Sequence, residues 1–146
     1  MRVSRADLLR GTGLILFYLG AFNGVFAENG GTCTQGGAGQ LLGIVISIVL
    51  YIPAFALLAK GRSGRDTSLV MALGLLAIAW QIWFVIRLAA GVFLWKLSAC
   101  AVIEGDAGWE FDGREVLFAI LWLAMSLEVI VGTALVFGRW AKRQRL

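Results

Sequence analysis

The chain is 146 residues long, 60% hydrophobic and only 15% charged, with a mean hydropathy of +0.84. Soluble domains run near 45–50% apolar and about 25% charged, so a soluble globular protein is excluded, and the length suits one membrane bundle without a second domain. Histidine is absent, which excludes His-ligated haem, His-based zinc or copper sites and catalysis through an imidazole base.

A helix needs about 20 apolar residues to cross a hydrocarbon layer of roughly 30 Å. Four stretches meet that length: residues 8–27, 40–59, 68–97 and 116–137. They lack the alternation of a membrane barrel strand, and helices are the other way to satisfy every backbone N–H and C=O in lipid. The expected fold is an all-α integral membrane protein, a single four-transmembrane-helix bundle.

The cations give a direction. Arg2, Arg5 and Arg10 precede the first span, Lys60, Arg62 and Arg65 separate the second from the third, and Arg139, Lys142, Arg143 and Arg145 follow the fourth. Lys96 and Arg114 alone lie on the other side, with Glu28, Glu104, Asp106, Glu110, Asp112 and Glu115. By the positive-inside rule both termini and the turn at residues 60–67 are expected in the cytoplasm, as in a bacterial inner membrane. The basic rim then meets anionic lipid rather than nucleic acid. Arg2, Arg5, an apolar run and Val25-Phe26-Ala27 imitate a secretory signal. The run is longer than the 7–15 residues of a usual signal core, so an uncleaved first helix is expected.

Small residues mark the seams along which helices pack in lipid. The first span offers Gly13, Gly20 and Gly24, and the second Gly43 and Ser47 followed by Tyr51 and Ala54. The third carries Gly74 and Ala77 leading to Gln81, and the fourth Ala124, Glu128 and Gly132 at four-residue spacing. They read as internal seams of the bundle, with a homodimer surface on the first span as the sharper alternative. Pro53 removes a donor inside the second span, which shapes the bundle through a kink.

The only cysteines, Cys33 and Cys100, fall in the two loops on the non-cytoplasmic side. An exact pair in an oxidising compartment reads as a disulfide. Closing a loop that long stabilises a soluble chain by roughly 4 kcal/mol on the entropy model, and less in a membrane. A redox role lacks the closely spaced Cys-x-x-Cys it needs.

Ionisable groups at membrane depth cost about 2.5–3.5 kcal/mol even on lenient scales and mark candidate sites. Glu128 falls near the middle of the fourth span, with Gln81 at its level in the third. Arg87 stands about 9 Å further out, from the rise of 1.5 Å per residue, able to reach toward Glu128 or toward the interface. Three readings follow. Glu128 is structural, neutral or paired with Gln81, Ser126, Tyr18 or Arg87; it is a proton- or cation-coupled carboxylate; or it or Arg87 faces out and pairs with another subunit. Trp80, Trp83 and Phe84 also offer Arg87 stacking partners worth about 0.5–2 kcal/mol.

Between the last two spans, Glu104, Asp106, Glu110, Asp112 and Glu115 imitate a calcium loop, but Trp109 stands where that loop needs glycine. Trp109 and Phe111 read instead as interfacial anchors. No nucleophile–base pair, metal cluster or phosphate loop is present, so neither enzymatic activity nor a cofactor is expected. The composition points to an accessory or structural subunit of a larger membrane complex, in contact with lipid and with other subunits or itself. The alternatives are a small oligomeric transporter using Glu128, or an immunity-type membrane protein.

Overall fold

Local grammar starts the first helix. The computed structural model describes residues 4–29, 38–61, 65–105 and 114–144, and in it Ser4 accepts a hydrogen bond from the Asp7 N–H at 3.2 Å while its hydroxyl donates to the Asp7 carboxylate at 2.6 Å. That reciprocal arrangement satisfies an otherwise orphaned helix donor. Helix α1 then runs from Arg5 to Asn29, followed by α2 at Ala38–Lys60, α3 at Arg65–Ala89, a short α4 at Ala99–Glu104 and α5 at Arg114–Gln144. No strand occurs among the described residues. Four segments, Arg5–Ala27, Gly39–Lys60, Leu69–Leu94 and Glu115–Arg143, are long and apolar enough to cross a membrane. The chain is a multi-pass, all-α membrane protein, and α2 continues as helix through Pro53.

The third span ends earlier than its apolar run suggests. A π-helical turn at Ala90–Leu94 closes it, with the Trp95 N–H donating to the Ala90 carbonyl at 3.2 Å. Lys96 then takes a left-handed conformation, φ 54°, and the Leu97 N–H returns to the Gly91 carbonyl at 3.0 Å. This left-handed helix stop is of the kind usually built on glycine, its closing bond one residue wider than the usual six-to-one bond because the last turn is π-helical. Leu97 therefore lies beyond the helix despite its hydropathy. Next, Ser98 caps α4 by accepting from the Ala101 N–H at 3.0 Å, and Gly105 at φ 75° ends it. Glu115, at the start of α5, accepts from the Ala99 N–H at 2.9 Å. A Cβ at Gly91 would overlap Val102, so α4 folds back directly on the end of α3.

The long helices form a ring in which α1 and α5 each pack on both α2 and α3. The α1–α2 pair is antiparallel and the most extensive: Gly13 meets Leu58, Gly20 meets Tyr51 and Gly43 meets Ala27. Asn23 Nδ2 donates to the Gly43 carbonyl at 2.5 Å and to Ser47 Oγ at 3.0 Å, and Ser47 Oγ donates to the Gly20 carbonyl at 3.0 Å. Helix α3 packs more thinly. It meets α1 where Phe17 covers Gly74 and where the Tyr18 hydroxyl donates to the Val70 carbonyl at 2.5 Å. Helix α5 runs alongside α2 in the same direction: Gly132 lies under the Phe55 ring, Trp140 Nε1 donates to the Leu58 carbonyl at 3.1 Å, and Arg143 donates to the Gly61 carbonyl at 3.1 Å. The last two satisfy carbonyls that the end of α2 leaves open.

Two stability predictions follow from these close approaches. Gly132→Val forces its side chain into the Phe55 ring and should cost about 1–3 kcal/mol, read as a lowered thermal unfolding midpoint in detergent. Gly138→Val, which meets nothing within 4 Å, should leave the midpoint nearly unchanged. Lys96→Gly relieves the left-handed strain and should stabilise by a few tenths to about 1 kcal/mol, since glycine adopts that region freely but loses more chain entropy on folding.

Candidate functional site

Three helices deliver polar side chains to one layer in the middle of the bundle. Tyr51 of α2 and Gln81 of α3 are fully buried, and both carboxylate oxygens of Glu128 on α5 are buried although the residue itself is only half-buried. The fourth helix supplies a ledge instead of a side chain. Gly20 lies against the Tyr51 ring, and one turn further along Gly24 lies against the Gln81 amide, whose Nε2 would stand 2.6 Å from an added Cβ. Any larger residue at these positions would displace the polar groups above them. Phe17 and Phe55 wall the layer on the side of the basic helix ends, with ring centroids 6.0 and 5.8 Å from Tyr51. Gly132 lies under the Phe55 ring, so one turn back on the parallel helices α5 and α2 Glu128 stands at the level of Tyr51. Ile78 and Ile82, flanking Gln81, line a common groove with Val129, which sets Gln81 at the level of Glu128.

None of these polar atoms is satisfied by the described residues. Tyr51 Oη, Gln81 Nε2 and Oε1 and both Glu128 oxygens have no hydrogen-bond partner among the described residues. The partners expected for Glu128 are otherwise placed. Tyr18 donates to a backbone carbonyl of α3, and Ser126 Oγ is itself without a partner. Arg87 is exposed on α3 and forms no ion pair among the described residues. A buried polar group left in this condition costs about 1–3 kcal/mol, more if charged, so the layer is a destabilising feature set inside a well-packed bundle.

Arg87 belongs to a different surface. Leu69, Leu73, Leu76, Trp80, Trp83 and Arg87 follow alternating four- and three-residue steps along α3, Leu94 in the closing π turn lies a further seven residues on, and all are exposed. The expected stacking of Arg87 does not form among the described residues: Trp80 and Trp83 point outward at 69% and 58% exposure, and Phe84 packs edge-on against Trp122 at 5.2 Å. Beside this stripe an apolar groove of about 350 Å³ opens between α3 and α5, lined by residues that include Leu75, Ile78, Val129 and Thr133.

The remaining sequence-derived positions divide clearly. Gly20, Gly24, Gly43, Ser47 and Gly132 lie in helix seams. Ala124 is exposed and lies off the seam, because a strict four-residue spacing drifts around a helix of 3.6 residues per turn. Cys33 and most of the acidic loop, including Trp109 and Phe111, lie outside the described residues. Cys100 is on α4, and no free thiol occurs among the described residues. Sequence reasoning missed Asn23 as the polar link between α1 and α2, and missed that Tyr51 stands at the level of Glu128. The signal for Tyr51 was its place one turn after Ser47 in the Gly43–Ser47 stripe.

No protein-family model matches the chain, and no curated protein or solved structure matches it.

The unsatisfied layer makes a direct prediction about stability. Glu128→Met keeps the side-chain volume and removes two buried unpaired oxygens, so the variant should unfold at a higher temperature than the parent in detergent. A lower midpoint would show that the carboxyl is held by favourable contacts.

Proposed function

We propose that the protein is an accessory subunit of a larger membrane protein complex in a bacterial cytoplasmic membrane, with a binding rather than an enzymatic role. The observation that carries this reading is the outward stripe of α3. Lipid alone accounts for leucines there, but an arginine at membrane depth is costly unless it meets an anion, and Arg87 has none within the described chain. The 3.5-residue period of the stripe suits knobs-into-holes packing with one further helix. Such a helix would bring a carboxylate to the level of Arg87, and the two flanking tryptophans would enclose the pair.

The topology proposed with it places both termini and the turn after α2 in the cytoplasm. The convergence of basic groups at one end supports this: Arg143 reaches the Lys60 and Gly61 carbonyls, and Gly61 in turn abuts Arg10. We also propose that Cys100 pairs with Cys33. Cys100 sits where α3 gives way to α5, the same end of the bundle at which α1 ends and α2 begins. Intact mass under non-reducing conditions should be lighter by two hydrogens than after reduction, a difference that Cys33→Ser should abolish.

Photo-crosslinking in native membranes tests the subunit reading. A photoreactive residue at Leu76 or Trp83 should trap one defined membrane protein, and one at Phe22, on the outward face of α1, should not. Arg87→Ala should reduce the adduct about tenfold, a loss of roughly 1.4 kcal/mol in binding, while Arg87→Lys should retain part of it. Lipid adducts alone at the α3 positions, with the chain recovered unpartnered by native mass spectrometry, would overturn the proposal in favour of self-contained transport through the Glu128 layer.

A further inference from the structure

We infer that Glu128, Tyr51 and Gln81 form an intramembrane binding site for a small monovalent cation, sodium in chemical class, taken up in exchange for the Glu128 proton. The inference is independent of the α3 stripe. It rests first on the two fully buried side chains, Tyr51 and Gln81, whose polar ends, like both Glu128 oxygens, are buried without a partner among the described residues. It rests second on charge. Gly132 of α5 lies under Phe55 of α2, and one turn back on these parallel helices Glu128 and Tyr51 share a level; Gly20 and Gly24 seat Tyr51 and Gln81 one turn apart, and no lysine or arginine pairs with Glu128 among the described residues. An ionised carboxylate in this layer therefore requires a cation from outside the chain.

The donor set narrows the class. A carboxylate, an amide carbonyl and a phenolic oxygen are hard oxygen ligands, and neither thiolate nor imidazole is present to favour a transition metal. One negative charge neutralises one monovalent ion, whereas a divalent ion would leave a net positive charge in hydrocarbon, where unpaired charge is heavily penalised. The exchange balances simply: the neutral acid releases a proton as the cation enters, so the layer stays uncharged in both states. Gly20 and Gly24 then have a specific role, since a Cβ at either position would push Tyr51 or Gln81 into the space the ion would share.

A hydrophobic carbodiimide, which reacts with a protonated carboxyl, provides the test on the full chain in detergent. Peptide mass mapping should find Glu128 modified in choline chloride. Sodium chloride of equal ionic strength should slow that modification, by about tenfold when sodium stands at ten times its dissociation constant. Gln81→Leu and Tyr51→Phe, checked for an unchanged elution volume, should weaken the protection by sodium while leaving the reaction in choline intact. Equal rates in sodium and choline would overturn the inference and make Glu128 a neutral structural acid. Absence of modification in both salts, with modification appearing after unfolding in a harsh detergent, would overturn it too, because a carboxyl sealed from exchange cannot take up an ion.

Discussion

The close approach of α1 and α2 is the contact on which the rest of the molecule depends. Lipid tails are as apolar as leucine, so no hydrophobic force draws helices together within the membrane; van der Waals contact and interhelical hydrogen bonds must do so. Gly20 and Gly43 bring the two backbones near enough for Asn23 and Ser47 to bond the opposite carbonyls. The same glycine-bearing face of α1 continues to Gly24, and it is against this ledge that Tyr51 and Gln81 are seated. The structural seam and the polar layer are thus two uses of one surface. Helix α1 could not be lost without removing both.

The bundle is unequal around its ring. Helices α1, α2 and α5 are tied by side-chain-to-backbone bonds and ring-on-glycine contacts, and the indole of Trp140 and the guanidinium of Arg143 secure the end of α2. Helix α3 is held more thinly. It presents Gln81 to the interior and Trp80, Trp83 and Arg87 to the exterior. Helix α3 thus has polar or amphipathic groups on both faces and a modest attachment to its own bundle, which is why the proposed partner contact is placed there. Local stability is lowest where contacts are few, and here that element also borders the apolar groove with α5.

The two ends of the molecule are built differently. At one end basic residues converge and helix carbonyls are bound by side chains from neighbouring helices. At the other, a π turn, a left-handed lysine and the short helix α4 fold the chain back over the end of α3, with Glu115 fastening α4 to the start of α5. The asymmetry in charge suits a fixed orientation in the bilayer. The asymmetry in structure gives Cys100 a defined seat.

The number of spans, their helical character and the identity of the costly residues were readable from the chain alone, because hydrocarbon permits so few backbone arrangements that length and polarity decide them. Glycine seams were likewise visible at Gly20, Gly24, Gly43 and Gly132, since small residues at helical spacing have one main use in lipid. What the linear order did not contain was which faces meet. Only the packing put Tyr51 level with Glu128, turned Arg87 and Ala124 outward, and stopped the third span before Leu97. Each of these depends on the rotation of a helix about its axis or on a single reversed dihedral. A uniformly apolar helix records neither in its sequence, because every side of it is equally at home in lipid until a neighbouring helix arrives.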